Sequence, residues 1–350
     1  MSQEQLYSNV LVKVGVERSH LLSKEKLERL TDSKTLEEFA SELRETVYGE
    51  KLAKLTLPYT SRNFERVFRE SLIEVVIKIV RSSPELVSEF LKTYLLKFEQ
   101  ENLKTVLRAV SVGLPYDEIS SKMYISVENF LKRQELILKA ARAINVKSAV
   151  DVLRTTLYGS VLITGLQKCE ETGSTKCFDI LLDRMFYENF GETFKALPKN
   201  EQEHAFFYVS RETDKFNILT ILRAKLLGYE PNWIRMTISR NFYNVPEQTI
   251  EKMLMADHFE SAFKIIKQSY YKKLFVSAET PEETISAAEK AFRRDIFEYT
   301  KKTQIGDPFN VGTSIAFIVK KEIELYNLTA ISLGIEYAWK KNNISGLLLF

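Results

Sequence analysis

Two stretches of this chain recur at a nearly constant interval, and that periodicity limits the fold more than any other feature. Residues 101–119, ENLKTVLRAVSVGLPYDEI, align with 216–234, FNILTILRAKLLGYEPNWI, and more weakly with 326–344, YNLTAISLGIEYAWKKNNI. The alignment centres on Asn102, Asn217 and Asn327, separated by 115 and then 110 residues. Each is followed by Leu or Ile, and four positions on by Val106, Ile221 or Ile331. An acid, Glu99, Asp214 or Glu324, stands three positions before it, and Pro84, Pro198 and Pro308 lie 18 or 19 positions before it. A second element keeps the same phase: LRETVYGE (43–50) aligns with LRTTLYGS (153–160), and IKQSYYKK (266–273) is a fainter third copy. Two separate elements on one period point to three pseudo-equivalent units. Each is the size of a domain, not of a solenoid repeat. The expected division is 1–122, 123–238 and 239–350.

The units are helical. Only 12 glycines and 8 prolines punctuate 350 residues, too few for a chain of strands and tight turns. Phe64, Val67, Phe68, Leu72, Val75, Val76 and Ile79 recur at three- and four-residue steps with charges between them. Ser83-Pro84-Glu85 has the order of a helix start, and Gly113-Leu114-Pro115 that of a stop. The fold class is all-α. On the repeated helix, Leu91, Leu95, Phe98, Val106, Ala109 and Gly113 lie within about 40° of Asn102 at 100° per residue. The asparagines are therefore expected in a buried stripe, each amide bonded to backbone or side chains of a neighbouring helix. Small residues share that face: Ala109, Ala224 and Gly334 seven positions on, and Gly113, Gly228 and Ala338 eleven on, sized for close helix approach. Lys225 falls off the stripe. Arg108 and Arg223 sit about 120° around the helix, exposed or between domains, as candidate partner contacts. The third copy has Leu333 there.

Chemistry is harder to find. Apolar residues at 45% and charged ones at 28% suit a full core with a solvated surface. With 50 Lys plus Arg against 47 Asp plus Glu, charge alone does not single out a nucleic-acid partner. The longest apolar helix-like segment, 64–80, carries Glu65, Arg66, Arg69, Glu70, Glu74 and Lys78, so it cannot cross a bilayer. MSQEQLYSNV shows no secretory signal pattern. No phosphate-binding G-x-x-x-x-G-K-[ST] occurs, and 306–312, GDPFNVG, fits a helix-entry turn better. His20, His204 and His258 are isolated; Glu322 and Glu324, two apart on one helix, point away from each other. Cys169 and Cys177, in CEETGSTKC, are either free thiols or a bridge across the Gly-Ser-Thr turn. No catalytic constellation, metal set, cofactor or small-molecule substrate is expected.

In this order and period, the quoted blocks resemble the C-subunit family of archaeal-type (A-type) rotary ATPases, relatives of the V-ATPase d subunit. LLSKEKLERLTDSKTLEEFASELRETVYGEKL (21–52) is similar to the family's N-terminal block, and ENLKTVLRA to its N-L-x-x-[IV]-L-R pattern. PFNVGTSIAFIVKKEIELYNLTAI (308–331) is similar to its C-terminal block, departing at Ser332-Leu333 where the family continues Leu-Arg. The resemblance implies a pseudo-threefold helical funnel, monomeric in isolation and non-catalytic. It implies a central-stalk place on the cytoplasmic side, peripheral to the membrane. The partners it implies are the central shaft subunits and the membrane proteolipid ring, coupling ATP turnover to ion (proton) transport without nucleic acid. The alternative from a different class is a helical scaffold or nucleic-acid-binding adaptor, which a salt-sensitive shift with DNA or RNA would reveal.

Overall fold

In a computed structural model the protein is described over residues 3–302 and 307–350, and every regular element among the described residues is a helix. Gly306, in the expected entry turn, lies outside the described residues; from Asp307 onward the turn leads into the helix Val311–Glu336. There the Asn310 side chain caps the start by accepting from the Gly312 N–H at 2.8 Å.

The chain divides into two compact units: residues 1–88 with 297–350, and residues 89–296. The boundaries expected at 122/123 and 238/239 both fall inside the second unit, and residues 1–88 group with the C-terminal segment instead of with 89–122. In the first unit the helices Gln3–Ser19, Ser61–Ser82 and Val311–Glu336 pack on one another. The apolar stripe of Ser61–Ser82 is its inner face: Phe64, Val67, Phe68, Leu72, Val75, Val76 and Ile79 are all buried. Phe39, on the helix Leu36–Glu42, meets Phe64 edge-on at 5.3 Å, and Tyr48 meets Phe68 likewise at 5.0 Å. Rings in this geometry pair their electron-poor edges with electron-rich faces, a gain beyond burial alone.

The second unit holds two apolar clusters. One joins Leu103, Val106, Leu107 and Val110 to Ala149, Val150, Leu153, Leu162 and Phe178. The other joins Ile218, Ile221 and Leu222 to Ile250, Leu254, Phe263 and Phe292. Each cluster is built on one asparagine-bearing helix, Glu85–Ser111 or Lys199–Leu226, and on the short and long helices that follow it.

The three asparagine helices end alike. Gly113, Gly228 and Ala338 are left-handed, at φ 70°, 73° and 51°. The next N–H in each case reaches back to a carbonyl five residues earlier: Leu114 to Ala109 and Tyr229 to Ala224, both 3.0 Å, and Trp339 to Gly334, 2.8 Å. This is the bond of a Schellman stop, which satisfies a carbonyl the helix would leave orphaned. The small residue eleven positions after each asparagine is therefore a left-handed cap. The expectation that it serves close helix packing is corrected, because by that point the chain has already left the helix. At the starts, Pro198 caps Lys199–Leu226, and Pro84 offers its carbonyl to Ser88 N–H at 2.7 Å; Pro84 thus stands one place before the helix, not within it.

Candidate functional site

The repeated polar residues are brought together into three copies of one arrangement. Asn102, Asn217 and Asn327 are all but fully buried. Each amide bonds in both directions to the backbone 22 residues later. Asn102 Nδ2 donates to the Tyr124 carbonyl at 3.0 Å while its Oδ1 accepts the Tyr124 N–H at 2.7 Å. Asn217 makes the same pair with Ser239, at 3.1 and 2.8 Å, and Asn327 with Leu349, at 2.8 and 2.9 Å. A primary amide carries one donor side and one acceptor side at the spacing of a peptide group, so it can take the place of a missing strand partner. This backbone partner lies just beyond the next short helix; the expected bond to a neighbouring helix is made by Asn102, which also donates to Glu128 on the helix Ile125–Leu131.

Three positions before each asparagine, the buried acid accepts from the tyrosine of the second repeated element. Tyr158 Oη donates to Glu99 Oε2 at 2.5 Å, Tyr271 Oη to Asp214 Oδ2 at 2.9 Å, and Tyr48 Oη to Glu324 Oε1. The turn that presents the tyrosine is also the same each time. Thr46, Thr156 and Ser269 donate to the carbonyl three residues back and accept the tyrosine's own N–H. In the first two turns the glycine after the tyrosine is required by space. A Cβ on Gly49 would stand 1.9 Å from the Arg44 carbonyl oxygen, and one on Gly159 2.0 Å from that of Arg154.

A cation accompanies Glu99 and Glu324, so that acid, tyrosine and cation together form a polar latch there; at Asp214 the latch is acid and tyrosine, closed by the Tyr243 and Asn244 N–H groups. Arg133 Nε lies 3.1 Å from Glu99. Lys321 Nζ donates to Glu324 at 2.6 Å and to Tyr48 Oη at 2.7 Å. Arg211, six residues before Asn217 as Lys321 is six before Asn327, stacks at 3.3 Å on Phe207, donates to Asp295 at 2.7 Å, and reaches Tyr270. A buried charge must be paired or hydrogen-bonded to be tolerated: Glu99 and Glu324 meet that need with different cations, and Asp214 with Tyr271 and backbone N–H groups. Glu324 also accepts the Leu22 N–H at 2.6 Å, so both its oxygens are committed. These bonds hold the Glu324 carboxylate in place.

Burial sets the titration of these groups. It pushes Asp214 up to about 6, against hydrogen bonds from Tyr271 and from the Asn244, Tyr243 and Val245 N–H groups. It raises Glu99 as well, with Arg133 and Tyr158 opposing. Glu128, fully buried, is pushed up to about 8 by burial and then by the neighbouring Glu99 charge; Asn102 and Arg133 pull the other way. Its Oε1 accepts from Asn102 at 2.8 Å, while Oε2 has no partner. Tyr48 and Tyr158 are both raised well above the phenol range, first by burial and then by the facing carboxylate.

Ala109 and Ala224 are buried, and each offers its carbonyl to the helix stop. Gly334 is buried beneath the helix Lys341–Ser345, where a Cβ would meet Ile344 at 2.5 Å. Lys225, expected off the stripe, is also buried, because Lys199–Leu226 is covered on more than one side. Arg108 and Arg223 are exposed, and each is tied to an acid: Asp179 at 3.4 Å and Glu289 at 2.8 Å. Sequence reasoning missed the tyrosines and cations of the latches. Their signal was present in the acid and the tyrosine, which each recur on the period of the asparagine. A further recurrence is apolar and exposed: Val112, Leu227 and Tyr337, ten positions after the asparagines, are 71%, 71% and 65% exposed.

Comparison with known proteins follows the same whole-chain pattern. The family described as ATP synthase (C/AC39) subunit matches residues 10–347. A Methanocaldococcus jannaschii protein, named as the C subunit of A-type ATP synthase, is 28% identical over 350 residues, covering 98% of this chain and 86% of its own length. Proteins of the same name from Thermococcus onnurineus and Methanothermobacter thermautotrophicus are 26% and 23% identical. Each covers 93% of this chain, and 85% and 82% of its own length respectively.

Proposed function

The chain belongs to the ATP synthase (C/AC39) subunit family, and from that premise we propose that it is the C subunit of an A-type ATP synthase. In this reading it is a non-catalytic piece of the central stalk that passes torque between the rotating shaft and the membrane proteolipid ring, linking ATP turnover to ion (proton) transport. The observation that carries the reading is the match along nearly the whole chain, at similar length, to proteins so named. The chain's proposed place is peripheral to the membrane, on the cytoplasmic side; among the described residues no helix is long and apolar enough to cross a membrane.

The latches support a torque-bearing role, since rigid transmission needs elements whose polar groups are all fixed by burial and bonding. They also suggest how three pseudo-equivalent modules are composed. Each would be one asparagine helix with the short helices and tyrosine turn that follow it. The N-terminal block would then complete the third module, as Tyr48 meets Glu324. Three such modules around a common axis would form the funnel that receives the shaft. Arg108 and Arg223 are candidate rim contacts, since both side chains are more than half exposed, and such charges mainly tune association rate. The test mixes the purified chain with the shaft subunits and, separately, with detergent-solubilised ring. Saturable binding to both is expected. Failure to bind either, with the helical circular dichroism intact, overturns the reading.

A further inference from the structure

We propose that Cys169 and Cys177 are a dithiol pair that closes reversibly to an intramolecular disulfide, a redox modification site at the tip of a helical hairpin. The hairpin is formed by the helices Gly159–Thr172 and Lys176–Lys195. It turns through Gly173, left-handed at φ 66°, whose N–H bonds to the Cys169 carbonyl at 2.8 Å. Cys169 thus lies in the last turn of the outgoing helix and Cys177 in the first turn of the returning one. The two side chains share a hydrogen bond. One turn deeper the helices run so close that a Cβ on Gly165 would stand 2.5 Å from the Phe178 ring. A disulfide needs its two Cα atoms within roughly 4.4–6.8 Å; the thiol–thiol hydrogen bond and the tight packing of the hairpin bring the two sulfurs within reach of each other.

The two thiols differ in access, which sets the order of events. Cys169 is partly exposed and Cys177 is buried. The Cys169 thiolate attacks one sulfur of a small-molecule disulfide RSSR, breaking its S–S bond and releasing RS⁻. Cys177 then loses its proton and attacks the Cys169 sulfur, expelling the second RS⁻. Both cysteine sulfurs are oxidised, and the two electrons and two protons leave as two RSH.

Burial, the Cys177 thiol and Asp179 together push the Cys169 thiol up to about 11, with the Phe178 N–H opposing. Little of it is thiolate at neutral pH, so closure is slow there and quickens as pH rises. The pair therefore behaves as a slowly formed staple and not as a fast sensor. Just past it on the returning helix, Asp179 holds Arg108 at 3.4 Å and Asp183 holds Lys104 at 2.5 Å. Stapling the tip braces this helix against the Asn102 helix.

The test treats the full-length chain with oxidised glutathione at mildly alkaline pH, blocks remaining thiols, and measures intact mass and tryptic peptides. Lys168 and Lys176 precede the two cysteines, so cleavage separates them and a link is seen directly. The expected product has lost two hydrogens, contains the linked peptide, reverts with dithiothreitol, and melts a few degrees higher than the reduced chain. Its rate should rise about tenfold per pH unit below the thiol's midpoint. Cys177→Ser should instead retain one glutathione on Cys169, and Cys169→Ser should give neither link nor melting shift. Glutathione retained on the unsubstituted chain, disulfide-linked dimers, or two thiols that remain fully alkylatable would each overturn the proposal.

Discussion

At the scale of the residue, the buried amides and acids carry energies that can be separated. Asn217→Ala strands the buried Ser239 N–H and carbonyl. Orphaned buried groups cost about 1–3 kcal/mol each, so a loss of about 3 kcal/mol in urea unfolding is expected. A loss below 1 kcal/mol would show that the extended segment finds other partners. Glu128 supplies a pH signature. Its folded carboxyl holds a proton up to about pH 8, while the unfolded one releases it near 4.5. Between those values the folded state binds more protons, so stability falls as pH rises, by up to about 1.4 kcal/mol per unit from this group, and levels off above pH 8. The groups facing it are Glu99, Asn102 and Arg133. Glu128→Gln keeps the shape of the protonated acid and should flatten that slope; an unchanged slope would assign it elsewhere. The asparagine, its burial and its need for partners were legible from helical phase. Glu128 was not, because nothing in its neighbours' identity says that α-helical packing leaves one of its oxygens bare.

At the scale of the element, one helix stop was legible, Gly113-Leu114-Pro115, whereas Gly228 and Ala338 looked like packing residues and are caps. Gly113 and Gly228 adopt the left-handed conformation at no steric cost, whereas Ala338 does so with a Cβ. Ala338→Gly should therefore stabilise by about 0.5–1 kcal/mol, measured as a higher denaturant midpoint with unchanged slope. No gain would mean that the stop is held by Trp339 alone. Ala224→Leu adds methylenes at a buried site and should cost roughly 1–3 kcal/mol. A neutral result would show slack beside that helix. The tyrosine turns were visible as repeats, yet their role was hidden. A Thr or Ser two residues before a tyrosine shapes a turn by itself, but which acid the hydroxyl finds is decided about 57 to 59 residues away in the second unit, Tyr271 to Asp214 and Tyr158 to Glu99.

At the scale of the whole molecule, the third latch is unlike the others in sequence distance. Tyr48 and Glu324 are 276 residues apart, and Leu22 and Glu324 are 302 apart. Contacts of such separation must await synthesis of the C-terminal segment, so the N-terminal helices cannot complete their core early. Glu324→Leu would leave Lys321 buried and unpaired, at a cost of about 3–5 kcal/mol. The loosening should appear in hydrogen exchange at residues 43–52 and 61–82, far from the substitution in sequence, while residues 103–110 and 149–162 keep their protection. Equal loosening everywhere would show that the two units unfold as one. Glu324→Gln, which keeps an acceptor for Tyr48 and Lys321, should fall between.

What the sequence determined by itself was what depends on neighbours along the chain: the helical period, a helix start and a helix stop, the burial of the stripe, and the number of repeats. Those follow from backbone sterics and from the spacing of apolar side chains, which act over a few residues. Only the tertiary structure decided which groups satisfy each buried amide, acid and cation, and that the N-terminal block closes on the C-terminal helix. Repeats in phase are equally consistent with a block joining the copy before it or the copy after it. The choice is made by whichever packing covers the apolar face of Ser61–Ser82 while pairing Lys321 and Glu324 out of water.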